Sequence, residues 1–424
     1  MHIAVIGAGG FIGRHIVADL AAHGHRVTAV VRTPVAPGTL PAKIRRLSHA
    51  AQLDPDAWAP LLAGVEIIVN AAGVLRGRDM DHAHVAMPRA LHAAATSAGV
   101  SRVVLLSAIS ARADVPTDYA EAKLSGEALL RESGLGWTIL RPSLVYADGS
   151  YGGTSVVRGL AAMPLAVPLP GDGRFDFSPI HARDLARAVR VICEQPRFSG
   201  SVVDPAGPVT LDLRTLLARY RQWLGFGPAA FVSVPLPMVR ALGRIGDLFG
   251  DGPVSSNSLD QMVAGNAADG AAFAAAIGFR PRSLDDALRD TPAQVQDRWH
   301  ARLFWLAPAI TAILAFLWLA SGLLGLFRGQ AATASLVEAL GLPAGWADPL
   351  RIGSSTVDLA LAAALIAGAR PRLVTPAQLL LIAGYTLVIG WAQPQLWLDP
   401  LGALLKNLPI LLLVLVHGAI AEKR

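Results

Sequence analysis

Tyr119 and Lys123 stand four residues apart in a 424-residue chain that holds only five tyrosines and four lysines, so the pair seldom arises by chance. On a helix, residues at that spacing lie one turn apart on the same face. A neighbouring ammonium lowers the pKa of a phenol, which lets a tyrosine exchange a proton nearer to neutral pH. Ser107, delivered by the apolar run Arg102-Val-Val-Leu-Leu106, can hydrogen-bond a carbonyl oxygen. Three such groups suit hydride transfer at an alcohol or ketone carbon, with the phenol moving the proton.

That chemistry needs a hydride carrier, and the first thirteen residues are built to hold one. Ile3 to Ile6 reads as a buried strand, Gly7-Ala-Gly9-Gly10-Phe11-Ile12-Gly13 follows at once, and Arg14 to Ala22 reads as a helix with Ile16, Val17 and Leu20 on one face. A strand, a glycine-rich turn and a helix in that order set backbone N–H groups and a positive helix end beneath a pyrophosphate. Arg26 to Val31 is a second strand and ends at Arg32, where an arginine accommodates a 2′-phosphate. NADP(H) is therefore favoured, with NAD(H) possible. Pro34 to Pro41 reads as a loop and Pro55 to Gly64 as a helix. The strand Val65 to Asn70 ends in Asn70-Ala71-Ala72-Gly73, small residues that let a cofactor approach the backbone. His82 to Ala98 reads as a helix, and a helix running to Leu130 opens with Tyr119. Tyr151 to Arg174, rich in Gly and Pro, reads as a loop on the substrate side, and Leu213 to Leu224 as an amphipathic helix. His82, His84 and His181 stand without partners at ligand spacing and are assigned structural roles; no metal site is expected.

The order Gly7-x-x-Gly10-x-x-Gly13, Asn70-Ala-Ala-Gly73, Ser107, Tyr119-x-x-x-Lys123 resembles the short-chain dehydrogenase/reductase superfamily. Arg141-Pro-Ser-Leu-Val-Tyr146, Gly171-Asp-Gly173 and Pro179-Ile-His-Ala-Arg-Asp184 are similar to its extended, epimerase/dehydratase-type branch. Ser107-Ala-Ile-Ser110-Ala looks like an atypical subgroup that includes the NADPH-binding accessory subunit of respiratory complex I. The resemblance covers about the first 290 residues and makes Gly278-Phe-Arg-Pro281 part of a C-terminal substrate lobe. It implies Tyr119 as general acid/base, Lys123 as the group that lowers its pKa and holds the nicotinamide ribose, and Ser107 as the serine that orients the substrate oxygen. It also places Pro142 and Val145 near the nicotinamide. The extended branch spaces its serine farther before the tyrosine than Ser107 stands here, which departs from the pattern; Ser110 is kept as the alternative to Ser107. Some atypical members bind nucleotide without turnover.

Composition points to a second part. Hydrophobic residues make up 53% and charged residues 16%, with a mean hydropathy of +0.45. That is too apolar for an ordinary soluble enzyme. The 24 residues from Phe304 to Phe327 carry no charge; as a helix they reach about 36 Å, against a hydrocarbon core of about 30 Å. Further spans are read at 352–369, 373–391 and 401–421. The chain thus divides into a nucleotide-binding domain at 1–290, a linker helix at 291–303 (the charged stretch Asp285 to Arg302 reading as one helix) and a transmembrane domain at 304–424. Pro308 is taken to lie in the first turns of its span. Four small helices after such a domain resemble the DoxX-like module, a family linked to quinone-associated oxidoreductases.

Arg298, Arg302, Arg370, Arg372, Lys423 and Arg424 fall on one side if the spans alternate, with Arg328 and Arg351 opposite. The positive-inside rule makes that side the cytoplasm, where the nucleotide domain is expected, since the start carries no basic segment with an apolar stretch and cleavage site. Trp346, Trp391 and Trp397 fit an interfacial belt on the outer side. The single cysteine, Cys193, excludes an intramolecular disulfide framework, and arginines without interleaved aromatics speak against nucleic acid. Asp358, inside the second span behind Ser354, Ser355 and Thr356, is expected to hydrogen-bond those hydroxyls or a neighbouring helix.

The fold expected is α/β, a Rossmann-type doubly wound parallel sheet with a small substrate lobe, followed by an all-α four-helix transmembrane bundle. The function expected is a multi-pass protein of the cell (inner) membrane that reduces or oxidises a small hydrophobic or quinone-like substrate from the lipid bilayer. An epimerase or dehydratase acting on a nucleoside-diphosphate- or lipid-linked sugar would use the same site. A non-catalytic NADPH-binding assembly or sensor protein is the alternative of a different class.

Overall fold

Short apolar runs, buried on both faces, form the centre of one seven-stranded parallel sheet, with more exposed strands at its two edges. The computed structural model describes residues 1–36, 38–75, 77, 79–248 and 256–421. In chain order the first elements are β1 (His2–Ile6), α1 (Phe11–Ala22), β2 (Arg26–Val31), β3 (Lys43–Arg46), α2 (Pro55–Leu62), β4 (Ile67–Asn70), α3 (Met87–Ser97), β5 (Arg102–Leu106), α4 (Asp118–Arg131) and β6 (Gly136–Leu140). The strand order is Ser201–Val203, β6, β5, β4, β1, β2, β3, all parallel, with the order reversing between β1 and β4. Crevices for ligands lie outside the carboxyl ends of the strands at such a point.

Alternation along β1 shows the double winding. Ile3 and Val5 pack with Ile16, Val17 and Leu20 of α1 and with helix Ala182–Glu194. Ala4 and Ile6 face the other layer, with Trp58, Leu62, Met87 and Leu91. Cys193 is 2% exposed within the first layer, and burial pushes its thiol up to about 12. Arg102 donates to the carbonyls of Ile192 (2.9 Å) and Cys193 (2.7 Å), tying β5 to the end of that helix.

Several expectations change. The helix read over His82 to Ala98 begins with a wide turn, His82–Ala86, before α3. The loop read over Tyr151 to Arg174 contains helix Gly153–Ala161 and strand Ala166–Pro170, which pairs with Ala230–Val234. The charged helix read over Asp285 to Arg302 is broken: Leu284–Asp290 stops, and a new helix starts at Val295. Pro292 lies in the break, where it cannot continue a helix without losing a hydrogen bond.

The described residues form two compact units, Met1–Ala301 and Arg302–Arg424. Helix Val295–Arg328 runs unbroken for 34 residues, so Pro308 lies in its interior rather than in its first turns. Helices Ala347–Ile366 and Pro371–Ala392 follow, and these three are long and apolar enough to cross a membrane. The fourth stretch differs from expectation. Its helix is Asn407–Ile420, 14 residues, or about 21 Å. Gly402 turns with φ +69° and residues 401–406 stay outside the helix, so the apolar run is longer than its helical part. Outward apolar side chains such as Phe316 (70% exposed) and Leu380 (76%) suit lipid rather than water. Asp358 accepts hydrogen bonds from Ser321 (2.6 Å) and Tyr385 (3.1 Å) on neighbouring helices. Lys423 and Arg424 lie outside the described residues.

Candidate functional site

The turn after β1 is close-packed in a way only glycine allows. Gly7 has φ +76°, and a Cβ there would meet Ala72 N at 2.7 Å. A Cβ on Gly13 would run into the Gly7 carbonyl oxygen. Gly10 N–H donates to that same carbonyl at 2.9 Å, closing the turn against the start of α1. The backbone therefore forms a shallow cradle between Gly7–Gly13 and Ala71–Ala72, and its donors and helix end fit a dinucleotide pyrophosphate. Gly9 is less constrained, since its added Cβ would only touch Val35 at 3.4 Å. Ile12 is half-buried against the first core layer, and Phe11 stacks on Tyr151 with centroids 5.5 Å apart.

Arg32 sits just past β2 and is paired: its guanidinium donates to Asp79 at 2.9 Å, both side chains about half exposed. Nothing local in the chain announces this pair, because Asp79 is 47 residues away from Arg32.

Thr117 caps α4 through Ala120 N–H at 3.2 Å, and the helix then presents Tyr119, Lys123 and Glu127 at successive turns. Lys123 Nζ lies 5.7 Å from the Tyr119 ring centroid and donates to the Leu106 carbonyl at 2.8 Å. Burial pulls its ammonium down to about 8, against the opposing pull of Glu127. The phenol behaves otherwise than the spacing implies: burial raises the Tyr119 pKa by stripping the phenolate of its hydration. A Cβ on Gly73 would lie 3.4 Å from Lys123 Nζ, so the end of β4 and the tyrosine–lysine face meet directly.

Ser107 is buried, and its hydroxyl donates to Glu127 at 2.6 Å. Glu127 is fully buried and also accepts from Arg141 (2.8 and 2.6 Å) and Arg131 (3.1 Å). Burial pushes that carboxyl up, but hydrogen bonds from Arg141 and Ser107 more than offset it and leave it below the usual range. Ser107 thus serves a buried ionic knot, while Ser110 (2% exposed) has no side-chain hydrogen bond to the described residues. The Pro142 carbonyl accepts from Ile109 N–H at 3.2 Å, and Val145 pairs with Ile180.

Two site neighbours were not foreseen. His84 is buried, bonds the Val74 carbonyl at 2.9 Å and stands edge-on to Tyr119 at 5.7 Å. Burial, then the charge of Lys123, lowers its pKa to about 4, so the imidazole is neutral. Glu127 could have been found as the third rung of the four-residue ladder; His84 carries no such signal. His181 caps its helix by accepting from Arg183 N–H, in keeping with a structural role.

The cradle, the sheet order and the apolar helices define a Rossmann-type dinucleotide-binding domain followed in the chain by a helical domain of membrane type. Residues 7–164 match the NAD(P)H-binding family, and residues 315–415 match the DoxX-like family, so one chain joins an NAD(P)H-binding domain to a DoxX-like one. A ceramide reductase of Caulobacter vibrioides is 29% identical over 46% of this chain and 61% of its own length. Subunit 9 of the NADH dehydrogenase [ubiquinone] 1 alpha subcomplex of Dictyostelium discoideum is 27% identical over 48% of this chain and 58% of its own. The chain thus spans less than two thirds of either relative. Among solved structures, an NADPH-dependent quinone oxidoreductase of Escherichia coli complexed with NADPH superposes with a TM-score of 0.54 at 19% identity, over 68% of this chain and 99% of that one. At that identity the likeness speaks for the fold alone.

Proposed function

We propose that the chain is a membrane-anchored, NADP(H)-dependent oxidoreductase of the short-chain type, acting on an alcohol or ketone carbon of a hydrophobic substrate. The observation that carries this reading is the approach of Lys123 to Gly73, which brings the tyrosine–lysine face to the edge of the dinucleotide cradle. Gly7, Gly9, Gly10, Phe11, Ile12, Gly13, Ala71, Ala72 and Gly73 would line the cofactor, with Arg32 toward a 2′-phosphate and Pro142 and Val145 toward the nicotinamide. A bound nicotinamide supplies or accepts the hydride. Tyr119 passes the proton to or from the substrate oxygen. Lys123, anchored on Leu106, holds positive charge beside the phenol and lowers the cost of its ionised form. Ser107 or Ser110 would orient the substrate oxygen; the Ser107 hydroxyl is committed to Glu127, which favours Ser110 for that role. The apolar helices and the similarity to a ceramide reductase support a lipid-like substrate drawn from the bilayer. The arginines flanking the spans favour the cytoplasmic side of the cell membrane for the nucleotide domain.

A second reading, a non-catalytic NADPH-binding assembly protein, is favoured by the raised pKa of Tyr119 and by the similarity to a respiratory-complex subunit. Full-length protein in lipid nanodiscs separates the two. NADPH oxidation is measured over a panel of ketones that includes long-chain ketolipids. Tyr119→Phe is expected to lower kcat by about 10²-fold or more, with NADPH affinity nearly unchanged. Tight NADPH binding with equal, negligible rates for both proteins would leave only the assembly role.

A further inference from the structure

Asp79 reaches the carboxyl edge of the sheet from the loop after β4, and its carboxylate closes on Arg32 from the end of β2 at 2.9 Å. The segment carrying Arg32 is fixed beside the phosphate cradle, since an added Cβ on Gly9 would touch Val35 at 3.4 Å and Val31 at 3.6 Å. The pair therefore spans the mouth where the adenosine end of a dinucleotide must lie. Both side chains remain about half exposed, so the ion pair is screened and can exchange partners. The imidazoles of His49 and His82 stack nearby at 3.7 Å, and His82 is engaged with the Gln52 side chain at 3.0 Å.

We propose that Asp79 is a selectivity residue that sets the preference between NADPH and NADH by latching Arg32. The inference rests on the reading of Arg32 as the group facing the 2′-position. A carboxylate beside the guanidinium acts in opposite directions on the two cofactors. Toward a 2′-phosphate it is a like charge, which repels the ligand and occupies the donors the phosphate needs. Toward a ribose bearing a free 2′-hydroxyl it is a hydrogen-bond acceptor, the role an acidic residue plays in NAD-specific sites. Here that acid comes from a different loop than the arginine, so the two ligands are balanced by two elements rather than by one position. With Asp79 in place, the preference for NADPH over NADH is muted.

Fluorescence titration of the full-length protein in nanodiscs tests this without reference to turnover. Dissociation constants for NADPH and NADH are measured for wild type, Asp79→Asn, Arg32→Ala and the double variant. Asp79→Asn is expected to tighten NADPH about fivefold to tenfold and to leave NADH unchanged or weaker. In the Arg32→Ala background the same substitution should give a much smaller gain, because the latch has no partner. An unchanged NADPH-to-NADH ratio in Asp79→Asn, while Arg32→Ala selectively loses NADPH, overturns the latch and leaves the Arg32 reading intact. Equal losses of both cofactors in Arg32→Ala remove the reading of Arg32 itself. Both positions are solvent-facing, so unfolding should not confuse the comparison; matching thermal midpoints check that.

Discussion

Lys123 concentrates the tension of the site in one side chain. The residue is 6% exposed, and its ammonium donates a hydrogen bond to the Leu106 carbonyl and faces Glu127 along the helix. Burial lowers its pKa from the ordinary 10.5 to about 8. The folded protein therefore gives up that proton near pH 8, while the unfolded chain keeps it to about 10.5. Between those values the unfolded state binds more protons, so this group makes stability rise with pH, by no more than about 1.4 kcal/mol per pH unit. Thermal unfolding of wild type and Lys123→Met checks the sign. The advantage of the uncharged methionine, or its smaller deficit, should shift in favour of lysine from pH 8 to pH 10. A gap independent of pH would mean that the ammonium is not buried as described. The tyrosine–lysine spacing was legible because helical geometry is local. The rise in the phenol's pKa was not, because desolvation depends on what later segments lay over the residue.

At the scale of elements, β1 and its turn were readable for a simple reason: an apolar run, glycines and an amphipathic helix are consecutive in the chain. Gly13 is the position where that geometry is least forgiving. Gly13→Ala should weaken dinucleotide binding by at least about tenfold, since the methyl group meets the Gly7 carbonyl and must push the cradle open. Titration with NADPH reads the loss, and wild-type affinity would show that the turn tolerates a shift. Other elements escaped notice for equally physical reasons. Lys43–Arg46 is an edge strand whose composition is mostly charged, so no apolar pattern marks it. Ala166–Pro170 contains Pro168 and Pro170, which argue against a strand until its two-stranded partner Ala230–Val234 is known. The ionic knot of Glu127, Arg141, Arg131 and Ser107 joins β5, α4 and β6, a contact of the Ser107 hydroxyl that no local pattern in the chain announces.

At the scale of the whole molecule, hydropathy identified the apolar C-terminal part correctly in kind and less well in detail. A run of apolar residues shows where lipid-compatible sequence lies, but not which part of it is helical. The fourth stretch illustrates this, because only 14 of its residues form a helix. Reporter fusions after Arg372 and after Trp397 are expected to report opposite compartments, with the cytoplasm at the first. The same compartment at both would refute the alternating order of the spans. A further fusion at the chain end reports the cytoplasm only if Asn407–Ile420 crosses.

The lone thiol has a practical side. Cys193 sits in the last turn of helix Ala182–Glu194, where Arg102 fastens that helix to the sheet, with its side chain turned into the core and out of reach of any alkylating reagent while that layer is shut. Its modification in intact membranes therefore clocks the opening of the dinucleotide domain, with no engineered label to disturb it. Any nucleotide that grips the closed form will slow the clock in proportion to its hold.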